Sequence, residues 1–335
     1  MAEGAVDGFS FLRGQPRFGT TTAVADFLHP AGEDPDPSVS ETYWFELLMP
    51  EHNLVGHVYL WTRPNLGICH SGVWIARGFI DHPLLMDHFD YRMALPMPTV
   101  EGSAVRVPSV GLSINVIEPL RVLDVDYVSS DNSTRLEFRA TAVTPVVMRA
   151  DEKHFEQFMK MEGELHLNGH LYKIDHFGSR DRSWQKARPE VPVSMPLMAW
   201  NSAVFDGGRL AFNLVGSDDP TDAEWARAYS VAPEESLLDG WYLRDGELLK
   251  VISMTKRTER DPQNRMRAIQ IRAEFVDSAG DQHIAVGRPV AGSWLLAWPN
   301  LYTWLGLTEW QLDGVTGYGD TQEYCGPDFC RRFWR

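Results

Sequence analysis

Residues 165–188 read Leu-His-Leu-Asn-Gly-His-Leu-Tyr-Lys-Ile-Asp-His-Phe-Gly-Ser-Arg-Asp-Arg-Ser-Trp-Gln-Lys-Ala-Arg, and they contain the clearest local structural signal in the chain. Asn168-Gly169 between alternating apolar residues is the strongest local signal for a two-residue β-hairpin turn. The turn pairs Leu165 with Tyr172, so the apolar side chains of both arms share one face. Continued as a regular strand, the second arm adds four residues to that face: His176, Arg180, Arg182 and Trp184. Gly178 allows a bulge on the way.

Most of the remaining chain has the same strand-like pattern. Thr42–Met49 is rich in aromatic residues and ends at a proline, and Arg121–Val128 and Arg135–Val143 alternate apolar and polar side chains. Asp245-Gly246 predicts a second hairpin turn. Thr221–Ala232 is the one segment with a helical pattern. Short strands separated by turn residues predict an all-β fold of sandwiches or barrels.

The length of 335 residues suggests two domains. Residues 1–40 contain several prolines and predict an irregular arm. The first β-domain is then expected over 41–188, with the hairpin at 163–175 and a polar motif at 174–188. A proline-rich stretch from Pro189 to Pro196 predicts the boundary, and 189–335 is expected to form the second β-domain.

The bulk properties exclude several classes of partner. A net charge of −15 argues against binding nucleic acid or anionic lipid, because both require a basic surface. No apolar run is long enough to span a membrane, and the N-terminus has no signal-peptide pattern. Three cysteines suit a reducing compartment, so we expect a cytoplasmic protein, and we interpret Cys325 and Cys330 as structural or incidental. The sequence does not indicate the oligomeric state.

Common catalytic and metal-binding signatures are absent from the sequence. There is no Gly-x-Ser-x-Gly, His-Glu-x-x-His or phosphate-binding glycine motif, and no histidine spacing matches a metal template, so we expect neither cofactor nor metal. The chain instead has twelve Trp, sixteen Phe, ten Tyr and twelve Met residues. Such residues pack cores and also line apolar ligand cavities, and the composition alone leaves both readings open.

The polar motif 174–188 follows directly on an apolar hairpin. It contains two acids, three arginines, a lysine and a histidine within fifteen residues. One interpretation is a solvated turn, and a second is a structural network of arginines and carboxylates, since buried charges must be paired. A third is a polar cluster at the rim of an apolar cavity, which is the usual composition of a ligand site.

The motif resembles the Gly-x-Arg-Asp-His-Ser-Trp-Gly-x-Arg pattern of the superfamily of carotenoid 1,2-hydratase and AttH-like proteins. The matching residues here are Gly178-Ser-Arg-Asp-Arg-Ser-Trp184 and Arg188. Supporting matches are Ser40-Glu-Thr-Tyr-Trp-Phe, Glu118-Pro119 and Gly317-Tyr-Gly-Asp-Thr-Gln-Glu-Tyr324.

This resemblance implies two lipocalin-like antiparallel β-barrel domains packed side by side, with a cavity for a hydrophobic ligand. It implies enzymes that add or remove water at an alkene without a redox cofactor, and fungal relatives that catalyse cyclisations. One departure matters: Arg182 stands where the family pattern has a histidine, and arginine stays protonated and cannot serve as a general acid.

We therefore expect His176, with Asp175 or Asp181, to supply acid and base, while Arg182 orients a polar group of the substrate. The other residues predicted to contact the substrate are Trp184, Tyr172, Trp200, Tyr302 and Trp304. The predicted function is a cofactor-independent lyase or isomerase acting on a hydrophobic terpenoid, steroid or aromatic molecule. The alternatives are a non-catalytic carrier of such a ligand and a pericyclase-like catalyst that works by shape.

Overall fold

A computed structural model describes residues 14–19, 21–188, 196–219, 236–298 and 301–333. The chain divides into two compact units. The first comprises residues 17–78 and 83–189, and the second comprises 1–16, 79–82 and 190–335. The predicted helix Thr221–Ala232 lies outside the described residues. Among the described residues, no helix is long and apolar enough to cross a membrane.

The strands up to the predicted domain boundary, in chain order, are as follows: β1 Arg17–Phe18, β2 Val39–Met49, β3 Leu54–Arg63, β4 Ile68–Arg77, β5 Phe79–Ile80, β6 His88–Pro96, β7 Thr99–Glu101, β8 Ala104–Val107, β9 Leu112–Glu118, β10 Val122–Val128, β11 Thr134–Ala142, β12 Val147–Met148, β13 His154–Leu167 and β14 His170–Ala187. Short 3-10 helices lie at Ala23–Asp26, Pro50–His52, Pro64–Leu66 and Pro83–Leu85.

All of these strands except β5 form one sheet, whose main path runs β6-β4-β3-β2-β14-β13-β11-β10-β9-β8-β7. The sheet is a half-barrel, and one of its faces, called the inner face here, carries a continuous apolar core. Tyr43, Val58, Val73, Met161 and Ile174 are members of that core. Strands β13 and β14 are the longest neighbouring pair in the sheet, so residues of the motif 174–188 lie in its middle.

The hairpin prediction is confirmed. Leu167 pairs with His170 and Leu165 pairs with Tyr172, and Asn168 and Gly169 both have positive φ, as a type I′ turn requires. The bulge that Gly178 allowed is not formed, because β13 and β14 pair without a register shift from His154–Ser183 to the turn. The irregularity lies later, between Ser183 and Lys186, where β14 pairs with β2.

The strands of the second half are β15 Met198–Phe205, β16 Leu210–Ser217, β17 Leu237–Arg244, β18 Glu247–Arg260, β19 Ala268–Asp277, β20 Gln282–Trp298, β21 Leu301–Leu312 and β22 Val315–Cys325. A 3-10 helix covers Asp206–Gly208, and the helix α1 covers Pro327–Phe333.

These eight strands close into a barrel, because β19 pairs with both β18 and β20. Strand β5 adds to β20 in parallel, so residues 79–80 belong to the second sheet although they precede most of the first. Glycines make room for large rings inside the barrel: a Cβ on Gly306 would lie 2.1 Å from the ring of Trp304. The all-β fold class with two lipocalin-like β-structures is confirmed.

Candidate active site

The sequence Arg180-Asp181-Arg182 alternates between the two faces of β14. Arg180 pairs with Gln157 of β13, and Arg182 pairs with Phe155 of β13 and Tyr43 of β2. Because directly opposed residues share a face, the two arginines lie on the inner face and Asp181 lies on the opposite, outer face. Each face gives its charges a different environment.

Arg180 is fully buried and fully paired. Its Nη1 donates to Oδ1 of Asp26 at 2.6 Å, and its Nε and Nη2 donate to Oε1 of Gln157 at 3.0 and 2.7 Å. The guanidinium also lies over the ring of Phe155, 5.0 Å from its centroid. The other oxygen of Asp26 accepts a hydrogen bond from the backbone N–H of Leu120. Such a charge is stable in a core only because each partner is present.

Arg182 is also buried, and both of its terminal nitrogens are paired. Nη2 donates to Glu41 Oε1 and to the carbonyl of Phe27, both at 2.7 Å, and Nη1 donates to the carbonyl of Thr42 at 2.6 Å. The guanidinium lies 3.5 Å from the centroid of the Tyr43 ring. Arg182 was predicted to orient a polar group of the substrate. In the structure its Nη1 and Nη2 are bonded instead to a carboxylate and two carbonyl oxygens of the chain itself.

Both arginines fix residues that precede β2 onto the end of the half-barrel. The hydroxyl of Tyr43 donates to the carbonyl of Asp26 at 2.9 Å, and Glu41 accepts hydrogen bonds from the backbone N–H and ring Nδ1 of His29. Trp184 stacks on His29, with ring centroids 4.6 Å apart and nearly parallel planes. Arg180 and Arg182 therefore form a structural network of arginines and carboxylates, which was the second interpretation of the motif. Trp184 packs against this network through His29.

His176 also lies on the inner face, opposite Met161. It is 7% exposed, and burial lowers its pKa to about 4, so the imidazole is neutral near pH 7. Its Nδ1 lies 3.2 Å from the carbonyl oxygen of Phe177.

Asp175 lies on the outer face and is exposed. Hydrogen bonds from Lys160 and Lys173 lower its pKa. The structure thus places His176 on one face of β14 and both aspartates on the other. At about 3.3 Å per residue, Asp175 and Asp181 are roughly 20 Å apart along the strand. Neither aspartate that was expected to act with His176 lies on the same face as His176.

Asp181 stands in a row of residues that crosses six strands. It is opposite Glu156 of β13 and Trp44 of β2, and the row continues through Tyr59 and Gly72 to Tyr91. We call the following set the carboxyl–aromatic face: Trp44, Glu46, His57, Tyr59, Trp74, Tyr91, Glu156 and Asp181.

The two glutamates of this face are each held by polar partners. Glu46 accepts hydrogen bonds from the backbone N–H and the hydroxyl of Ser179, at 2.9 and 2.5 Å. Glu156 forms a buried ion pair with Arg149. Burial, the charge of Glu156 and then that of Glu46 raise the pKa of Asp181 to about 7, although Arg188 and Arg149 oppose the shift. Asp181 is partly exposed, and it carries a proton in a large fraction of molecules near neutral pH.

Aromatic rings adjoin these carboxyls. The ring of Trp44 lies 4.6 Å from that of His57 and 5.6 Å from that of Trp74, centroid to centroid. Tyr59 and Tyr91 stack across the strand between them at 6.3 Å. That strand has Gly72 at the crossing, where a Cβ would lie 1.9 Å from the carbonyl oxygen of Asp90. Burial lowers the pKa of His57 to about 3, which keeps it neutral.

The other residues predicted to contact the substrate lie in separate places. The hydroxyl of Tyr172 accepts a hydrogen bond from Nη2 of Arg77 at 2.7 Å near the hairpin end. Trp200 of β15 packs edge-on against Tyr324. Tyr302 packs against Trp294 in the second unit, where Trp304 is fully buried inside the barrel.

Sequence reasoning missed Glu46, Glu156 and Trp44, which surround Asp181. Strand alternation contained part of the signal, because it places Asp181 and His176 on different faces of the strand once the hairpin register is known. The same hairpin register places Glu156 opposite Asp181. The positions of Trp44 and Glu46 depend on the pairing of β14 with β2, which are more than a hundred residues apart.

A family model matches residues 22–327, and that family is described as a domain of unknown function, DUF7064. The chain belongs to this family. The DUF7064 match covers both sheets apart from strand β1, and it includes every residue of the carboxyl–aromatic face. No curated protein matches significantly.

Two solved structures are similar to this DUF7064 chain. One is an AttH-like protein of Nitrosomonas europaea, with a TM-score of 0.51 and 13% identity over 88% of this chain and 99% of that one. The other is kievitone hydratase from Nectria haematococca, with a TM-score of 0.53 and 14% identity over 91% of this chain and 95% of that one. At these identities the likeness is one of fold, and it confirms the AttH-like resemblance at that level.

Proposed function

We propose that this protein is a cofactor-independent hydro-lyase that adds water to, or removes it from, an alkene of a hydrophobic small molecule, with Asp181 as the proton donor. The observation that carries the proposal is a partly exposed carboxyl of raised pKa between Glu156 and the ring of Trp44. A general acid works best when its pKa lies near the working pH, and Asp181 meets that condition.

The reaction consists of proton transfers and one addition. The O–H of Asp181 protonates the less substituted carbon of the double bond, and the electron pair of the π bond forms the new C–H bond. The more substituted carbon becomes a cation, and a water oxygen adds to it. The oxonium then returns its proton to the carboxylate of Asp181, so the acid is regenerated. The reverse sequence removes water.

The aromatic rings support the cationic step. The face of an indole ring attracts a cation, by about 0.5 to 2 kcal/mol depending on solvent exposure, and Trp44 is directly opposite Asp181. The anionic charges of Glu46 and Glu156 on the same face favour a developing positive charge as well. Together these groups stabilise the cation more than the neutral alkene, which is what catalysis requires.

The substrate class follows from the same features. An alkene that yields a tertiary cation, carried on an apolar terpenoid, steroid or aromatic molecule, suits a face of indole and phenol rings. A hydratase occurs among the proteins of similar fold, which supports this choice over a redox reaction. The steps are proton transfers and one addition of water, and none of them transfers electrons to an acceptor, so the reaction needs no redox partner.

The test is incubation of the purified protein with a panel of prenylated phenols and terpenoid alkenes in ¹⁸O-labelled water, followed by mass spectrometry. The proposal expects a product that contains one labelled oxygen. Asp181→Asn should reduce turnover by at least about 100-fold, since loss of a positioned acid typically costs 10² to 10⁴.

Asp175→Asn is the matched control, since it makes the same chemical change on the same face of the same strand at an exposed position. It should retain turnover. Equal losses in both variants would contradict the assignment of Asp181. A ligand that binds tightly and is recovered unchanged from the whole panel would instead support the carrier alternative.

A further inference from the structure

Two of the three cysteines lie together at the end of the second barrel. Cys325 is the last residue of β22, and Cys330 is in the helix α1. Their Sγ atoms are 3.5 Å apart, and both thiols are free. They belong to one apolar cluster with Trp294, Trp304 and Phe329.

We propose that Cys325 and Cys330 are a redox-active dithiol that forms an intramolecular disulfide, a modification independent of the proposed hydratase chemistry. A disulfide has an S–S length of about 2.05 Å, so the sulfurs must approach by about 1.5 Å. Side-chain rotation supplies such a movement without unfolding the strand. The four residues between the cysteines are Gly326 and the first three residues of α1, so the chain turns directly from β22 into the helix and keeps the two sulfurs close.

The oxidant that the proposal names is a low-molecular-weight disulfide such as oxidised glutathione. The Cys330 thiolate attacks one sulfur of the oxidant and releases one glutathione thiolate. The Cys325 thiolate then attacks the Cys330 sulfur and releases the second glutathione. Two protein thiols are oxidised, one small disulfide is reduced to two thiols, and the two protein protons end on the glutathione products. Cys330 is the entry point because it is 7% exposed, whereas Cys325 is fully buried.

The disulfide would add a side-chain cross-link between the helix α1 and the end of β22. That strand also carries Glu323, which forms a buried ion pair with Arg260 inside the barrel at 2.7 Å. A reversible disulfide of this kind is typical of redox-responsive sites in reducing compartments, where structural disulfides are rare.

The experiment counts thiols in the full-length folded protein before and after incubation with excess oxidised glutathione, followed by denaturation and alkylation. The reduced protein has three alkylatable thiols, and the oxidised protein should have one, at Cys69. Peptide mapping should then give a cross-link between Cys325 and Cys330 that dithiothreitol removes.

Cys69 is the internal control. It is buried on β4, where its thiol donates to the carbonyl of Pro96, and Cys69→Ser should form the cross-link normally. Cys330→Ser should keep both remaining thiols, and circular dichroism checks that it folds. Peptide mapping of the wild-type protein tests the proposal even if a variant does not fold. Three thiols after oxidation, or a stable glutathione adduct on Cys330 without the cross-link, would overturn the proposal.

Discussion

The two faces of strand β14 treat charge in opposite ways. On the inner face, Arg180 and Arg182 are buried and every charge meets a carboxylate or a carbonyl oxygen. On the outer face, Asp181 is flanked by Glu156, and Glu46 is nearby, so its negative form is disfavoured. One tripeptide, Arg180-Asp181-Arg182, therefore serves two purposes. Its arginines are paired within the fold, and its aspartate has a raised pKa.

The largest expected effect is on the inner face. Arg180→Leu leaves the carboxylate of Asp26 buried without its partner, and breaking one side of a buried pair typically costs about 3 to 5 kcal/mol. Urea denaturation should show this loss in the free energy of unfolding. Arg139→Leu, which removes an exposed arginine paired with Asp124, is the control and should cost less than about 1 kcal/mol. Similar losses in the free energy of unfolding for the two variants would contradict the claim that the buried ion pair matters more than the exposed one.

Substitution on the outer face should act on stability in the opposite direction. The pKa of Asp181 rises from 3.8 in the unfolded chain to about 7 when folded. The folded protein therefore binds a proton that the unfolded chain releases between these values, and stability falls as pH rises through that window. Asp181→Asn removes the penalty and should stabilise the protein above pH 7 by about 2 kcal/mol, allowing for the partial exposure of the carboxyl.

Thermal unfolding of the wild type and of Asp181→Asn across pH 4 to 8 checks this result. The two curves should converge near pH 4 and separate as pH rises. Asp175→Asn should show no such gain, because its lysine partners lower rather than raise the pKa of Asp175. Parallel wild-type and Asp181→Asn curves over the whole range would count against a raised pKa.

A smaller effect is expected from the aromatic neighbour. Trp44→Leu keeps an apolar side chain and removes the ring that faces the cation, which should lower turnover by about 10-fold. The variant should leave the pH dependence of turnover unchanged. Steady-state kinetics on a substrate found in the panel would measure both, and an unchanged rate would remove Trp44 from the mechanism.

The smallest expected change comes from Glu156→Gln. Loss of its charge lowers the pKa of Asp181, so the pH above which turnover declines should move down by about one unit or less. The pH profile of kcat/KM measures the shift. A displacement towards higher pH would contradict the proposed influence of Glu156.

The fold was predictable because local signals agreed with one another. The Asn168-Gly169 turn fixed the register of β13 and β14, and alternation then placed His176 and both arginines on the core side. The partners of those arginines were not predictable, because Asp26 and Glu41 are far from them along the chain. Asp26 also lies in a segment without a periodic pattern. The sequence hypothesis grouped His176 with Asp175 or Asp181 by proximity along the chain. Alternation, the same rule that predicted the fold, separates them.

The most direct test of the account is the titration of Asp181 itself in the folded protein. Carboxyl ¹³C NMR of protein labelled at aspartate, with Asp181→Asn used to assign the signal, gives its pKa without any substrate. We predict a midpoint near pH 7. A midpoint below about 5, close to that of an ordinary aspartate, would contradict the claim that Asp181 is the proton donor.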